Sequence, residues 1–184
     1  MKRTPKITGP TILTILRMIL SVVFVAFACI PETWSRIVAL VIFVVASITD
    51  EIDGRWARRD KLVTDLGAFL DPLADKMLIN LAFLVLVTLG VVPLWVFAII
   101  LVRDFAVDGM RMMAARSGIT ISASIYGKSK TVSQMIALII IMLNLILNLE
   151  FLTILGNIAL YIALFLTVFS GTDYLIKGWK KVIK

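Results

Sequence analysis

What this chain can fold into is bounded by six mostly apolar stretches, each near the roughly 20 residues a helix needs to cross a bilayer. They are 11–30, 34–58, 66–89, 93–116, 124–147 and 151–177. Of 184 residues, 60% are hydrophobic and 17% charged, whereas ordinary soluble domains are about half apolar and about a quarter charged. A soluble core cannot hide that much apolar sequence. The composition excludes a disordered tail, a basic nucleic-acid-binding module and a disulfide-stapled secreted domain. Several runs are β-branched, but their length and short connections favour helices over barrel strands. Pro10, Pro31 and Pro93 fall at or near the boundaries, where proline starts or ends a helix. No internal repeat or second domain is evident. The expectation is an all-α integral membrane bundle of six transmembrane helices forming one domain over 1–184.

Basic residues orient the spans. Lys2, Arg3 and Lys6 precede the first, and Arg58, Arg59 and Lys61 separate the second from the third. Arg116, Lys128 and Lys130 flank the next connection on that side, and Lys177, Lys180, Lys181 and Lys184 form the tail. The opposite connections hold Pro31-Glu32, Gly90-Val91-Val92 and Asn148-Leu149-Glu150, with Arg36 the one base nearby. The positive-inside rule places both termini in the cytoplasm of a multi-pass cell-membrane protein. The net charge of +7 then reflects loops facing anionic headgroups rather than a nucleic-acid partner. A basic start, an apolar run and Ala26-Phe27-Ala28 before Cys29 superficially resemble a cleaved signal, but Phe27 is bulky for such a site. Cys29 itself is expected to be a small buried apolar residue.

Chemistry is narrowed by what is missing. There are no histidines and one cysteine, so catalysis must rest on carboxylates, lysine, arginine and hydroxyls. Of the 12 acidic residues, Asp50, Asp53, Asp71 and Asp75 occupy the cytoplasmic ends of the second and third spans. Asp50 and Asp53 are i,i+3 and Asp71 and Asp75 i,i+4, so each pair shares a helix face. The short loop between the spans makes them antiparallel neighbours whose acidic faces can meet. One such Asp alone would read equally well as a helix-end charge paired with Arg55, Arg58, Arg59 or Lys76. Four on adjacent faces would repel unless protonated or neutralised by cations. All-oxygen ligation suits Mg²⁺ or Mn²⁺, and a paired-metal site suits phosphoryl transfer. Gly54, Ala57 and Gly67 interleave the acids and allow close approach of a phosphorylated ligand, to which Arg58 can present a fork of donors. Glu51 points away from the Asp50/Asp53 face, and Asp60 and Asp65 belong to a wet loop.

The pattern Asp50-x2-Asp53-Gly54-x2-Ala57-Arg58-x8-Gly67-x3-Asp71-x3-Asp75 resembles, at every fixed position, the signature of the CDP-alcohol phosphatidyltransferase family. Pro10-Thr11-Ile12-Leu13-Thr14-x2-Arg17 is similar to that family's opening segment, so the resemblance covers nearly the whole chain. It implies that Asp50, Asp53 and Asp71 ligate two metal ions, and that Asp75 completes the site and acts as general base. Gly54, Ala57, Arg58 and Gly67, with Thr14 and Thr64, would contact the CDP moiety. The resemblance also implies CDP-diacylglycerol as donor, its tails open to the membrane lipids, and a homodimer.

Family membership leaves glycerol 3-phosphate, inositol phosphate, serine and phosphatidylglycerol open as acceptors. Arg103 and Arg111 are eight residues apart, close to one helical face. Gly127-Lys128-Ser129-Lys130-Thr131 opens the fifth span. Together these bases suit the phosphate of a small anionic acceptor, although Arg111, Arg116, Lys128 and Lys130 also satisfy the positive-inside rule, and Asp104 or Asp108 can neutralise Arg103. The pattern is similar to the phosphatidylglycerophosphate-forming branch, in which the first Arg is usually followed by Glu rather than Asp104. The expected reaction is transfer of phosphatidyl from CDP-diacylglycerol to glycerol 3-phosphate, giving phosphatidylglycerophosphate and CMP. A cardiolipin or phosphatidylinositol-phosphate synthase, and more distantly a cation transporter, are the alternatives. Trp34, Trp95 and Trp179 read as interfacial anchors, Met110, Met112 and Met113 as packing or lipid-facing residues, and Asn144, Asn148 and Asn157 as bridges between helices.

Overall fold

A computed structural model describes residues 9–59, 65–116 and 125–182, with the side chains of 9–11, 50–59, 65–72, 75, 115–116, 125–126, 128 and 180–182 outside the description. The described residues form six helices and no strand: α1 (Gly9–Ala28), α2 (Thr33–Arg59), α3 (Asp65–Thr88), α4 (Leu94–Arg116), α5 (Ile125–Leu147) and α6 (Glu150–Val182). Each coincides with one expected apolar stretch. Asp65 opens α3 rather than closing the preceding loop, and α6 runs past its expected end. Two compact units result, Met1–Val85 and Leu86–Lys184.

In the first unit, α1 and α2 pair as a helical hairpin. Thr14, Arg17, Ser21, Phe24 and Ala28 are buried along α1, and Ser35, Ala39, Phe43 and Ala46 along α2. Both series follow the i, i+3/i+4 spacing of one helix face. Phe24 and Phe43 meet with centroids 5.9 Å apart. Near the connection, Ser35 Oγ donates to the Phe27 carbonyl at 2.7 Å and Phe27 meets Trp34 edge-on. Cys29 departs from its expected buried position: it is exposed. The buried series ends at Ala28, and one further residue turns the side chain about 100° off that face.

In the second unit, α6 packs against both α4 and α5. Its inner face reads Leu160, Ala163, Thr167, Ser170 and Tyr174, all buried. Small residues let neighbours come close: a Cβ on Gly156 would lie 3.0 Å from Ile141 Cγ1. The α3–α4 corner turns at Gly90, whose φ of +72° favours glycine. Asn148, at φ 50°, ends α5. Asn144 closes that corner, its Nδ2 donating to Thr153 Oγ1 at 2.9 Å while its Oδ1 accepts from Leu149 N at 3.1 Å. Asn144 is thus the bridge expected of it.

Within α5 and α6, Ser129–Leu147 and Glu150–Trp179 are long and apolar enough to cross a membrane. Large apolar side chains face outward from all six helices, among them Ile19, Val41, Leu84, Phe105, Ile136 and Phe165. Trp34, Trp95 and Trp179 are exposed, while Met110 is buried and Met112 and Met113 face out. Gly156→Val should wedge α5 from α6, lowering stability by about 1–3 kcal/mol, read as a lower thermal midpoint in detergent. An unchanged midpoint would show that the close approach contributes nothing.

Candidate functional site

Arg103, Asp104 and Lys130 form a buried charge cluster in the second unit. An ionised side chain among apolar helices is tolerable only when its charge and hydrogen-bonding capacity are met. Asp104 meets both cations. Lys130 Nζ lies 2.6 and 2.7 Å from its two oxygens, and Arg103 Nη1 donates to Oδ1 at 3.0 Å. The side chains of Asp104 and Lys130 are only 9% and 8% exposed, so water screens the pair weakly. Two cations around one carboxylate leave the cluster net positive.

Helix α6 completes the arrangement. Arg103 Nε donates to the Thr167 carbonyl at 3.0 Å, and Nη2 donates to Ser170 Oγ at 2.7 Å. Thr167 also links α5 to α6, its hydroxyl accepting from Gln134 Nε2 at 3.0 Å and donating to the Ala163 carbonyl. Two turns along α4, Arg111 Nε donates to the Tyr174 hydroxyl at 3.2 Å, with the guanidinium carbon 5.3 Å from the ring centroid. Arg103 and Arg111 therefore reach the same neighbour, α6, as their eight-residue spacing implies. Tyr174 is held by Val107 and Met110. Arg111 is the more exposed of the two arginines.

The other expected site residues fall as follows. Asp50, Asp53, Gly54, Ala57 and Arg58 lie on the C-terminal part of α2, and Gly67, Asp71 and Asp75 on the N-terminal part of α3. The helical backbone preserves the i,i+3 and i,i+4 spacings, while the side chains lie outside the described residues. Thr64 and the side chain of Lys128 lie outside them as well. Thr14 is buried on the inner face of α1. Among the described residues no group of three or more acidic, histidine or cysteine side chains is placed to hold a metal. The donor set of the α2–α3 acids fits a hard divalent ion: four carboxylates at helical spacing, in a chain without histidine.

Asp104 was expected only as a neutraliser of Arg103; it holds Lys130 as well. The α6 partners Thr167, Ser170 and Tyr174 were not singled out. Their signal was present: Thr167, Ser170, Gly171 and Tyr174 interrupt an apolar helix at steps of three, four and seven from Thr167, a polar stripe on one face. Asp104→Ala should lower stability by about 3–5 kcal/mol by leaving buried cations uncompensated. Asp104→Leu with Lys130→Met should recover much of that loss. Thermal unfolding of both in detergent checks this, and a double variant as unstable as the single one would contradict it.

The model of the CDP-alcohol phosphatidyltransferase family matches residues 7–169. A CDP-diacylglycerol–glycerol-3-phosphate 3-phosphatidyltransferase of Bacillus subtilis (strain 168) is 36% identical over 186 residues, covering 93% of this chain and 95% of the relative. One of the same description from Rickettsia bellii is 38% identical over 173 residues, covering 94% and 95%. Another, from Shigella flexneri, is 38% identical over 171 residues, covering 90% and 92%. The matched segment takes in every fixed position from Asp50 to Asp75 and the charges Arg103, Asp104 and Lys130, and the chain belongs to the CDP-alcohol phosphatidyltransferase family.

Proposed function

We propose that the protein is an integral membrane enzyme transferring a phosphatidyl group from CDP-diacylglycerol to glycerol 3-phosphate, with phosphatidylglycerophosphate and CMP as products. The observation that carries this reading is the unbroken series from Asp50 to Asp75 on α2 and α3. It occurs in a chain whose curated relatives, over nearly its whole length, are described as performing that transfer. Outward apolar side chains on all six helices support six membrane spans. The distribution of Lys and Arg supports cytoplasmic termini and a cytoplasmic active site. The family resemblance supports a homodimer.

The chain's two halves supply different chemistry. In the first, Asp50, Asp53, Asp71 and Asp75 would hold Mg²⁺ or Mn²⁺, two ions in all. Bound there, the metal would neutralise the diphosphate and stabilise the departing CMP. Gly54, Ala57 and Gly67 leave room for the CDP backbone, Arg58 offers its phosphates a fork of donors, and Thr14 and Thr64 complete the nucleotide contacts. Asp75 accepts the proton of the attacking hydroxyl. The acceptor oxygen bonds to the phosphorus carrying diacylglycerol, the bond from that phosphorus to the CMP oxygen breaks, and CMP leaves with the electron pair.

In the second half, Arg103, Arg111, Lys128 and Lys130 would receive the phosphate of glycerol 3-phosphate. The net positive charge of the Arg103–Asp104–Lys130 cluster supports an anionic acceptor over serine. Arg111, exposed and braced by Tyr174, is suited to contact the acceptor phosphate directly.

Asp75→Asn should abolish CMP release from CDP-diacylglycerol while leaving nucleotide binding largely intact; normal turnover would remove Asp75 from the base role. Arg111→Ala should raise the KM for glycerol 3-phosphate by about tenfold, the loss of one charge-assisted contact of about 1.4 kcal/mol. The KM for CDP-diacylglycerol should stay nearly unchanged. Equal rises in both constants would argue against an acceptor role for Arg111.

A further inference from the structure

The side chain of Arg103 crosses α6 at a residue without a side chain. A Cβ built on Gly171 would lie 3.1 Å from Cδ of Arg103 and 2.6 Å from both its Cγ and Nε, the last two closer than nonbonded heavy atoms can sit. Arg103 cannot swing clear without loss, because its guanidinium is tied at three points: Thr167 O, Ser170 Oγ and Asp104 Oδ1. A side chain at 171 would therefore push Arg103 away from this arrangement. These bonds engage three of the five guanidinium donors; among the described residues no further partner is shown for the other two, one on each terminal nitrogen, and such an N–H is a strong donor to a phosphate oxygen.

We propose that Gly171, with Ser170 and Thr167, is the seat on α6 that aims Arg103 at the acceptor's phosphate. Gly171 is thus a positioning residue for acceptor binding. This rests on the reading of Arg103 as an acceptor-phosphate residue. Gly171 touches neither substrate and acts through Arg103. Its replacement therefore changes acceptor binding specifically, and changes nothing once Arg103 is gone.

The experiment is a double-mutant cycle on the full-length protein in mixed micelles, following CMP release while each substrate is varied in turn. Gly171→Ala should raise the KM for glycerol 3-phosphate by about tenfold and that for CDP-diacylglycerol by less than about twofold. Ser170→Ala, which adds no bulk and so guards against loss of fold, should raise the acceptor KM by about threefold, consistent with one lost hydrogen bond. In an Arg103→Ala background both substitutions should have no further effect on the acceptor KM. Equal shifts in both constants, or the same shifts without Arg103, would overturn the inference and leave the functional reading intact. Wild-type protein that releases CMP with another acceptor but not with glycerol 3-phosphate would overturn that reading, and the inference with it.

Discussion

Everything in the second unit is arranged around one carboxylate. Asp104 lies among apolar helices with two cations within hydrogen-bonding distance, and none of the three charges is tolerable there alone. The cluster therefore sets the register of α4 against α5 through Lys130. It also sets the register of α4 against α6 through Arg103, whose remaining bonds reach Thr167 and Ser170. Dispersion and close approach at Gly156 and Leu160 then pack a scaffold whose alignment the polar contacts have specified.

The same economy explains how a chain poor in polar residues carries chemistry. Charges inside apolar helices are few, and those assigned to the site form two groups. The acids of α2 and α3, at helical spacing, are a donor set that suits a hard divalent ion. The bases of α4 and α5 gather positive charge, moderated by Asp104, which suits a small phosphorylated alcohol. A phosphatidyltransferase needs both: a way to neutralise the donor's diphosphate and a way to hold an anionic acceptor that would otherwise be repelled by it.

Much of this was legible in the sequence, for physical reasons that differ from part to part. The helices were readable because each apolar run is about as long as a span and ends at proline, glycine, a basic cluster or, for the fifth, Asn148. The motif from Asp50 to Asp75 was readable because eight fixed residues recur at helical spacing. The partners of Arg103 were not, because hydrogen bonds between α4 and α6 join residues more than sixty positions apart, and no local pattern pairs them. Cys29 is exposed although its residue type favours burial, because it lies one step beyond Ala28, the last residue of α1 and of its buried face. The role of Asp104 comes from Lys130, 26 residues away, which no local pattern pairs with it.

The proposed function rests on selectivity: phosphatidyl transfer to a phosphorylated three-carbon acceptor. CMP release by the purified protein from CDP-diacylglycerol, measured against glycerol 3-phosphate, inositol phosphate, serine and phosphatidylglycerol with and without Mg²⁺, tests it most directly. The expected result is release with glycerol 3-phosphate alone, matched mole for mole by phosphatidylglycerophosphate and abolished by chelation. Release with one of the other acceptors in its place, or Mg²⁺ flux across liposomes without any CMP, would contradict it.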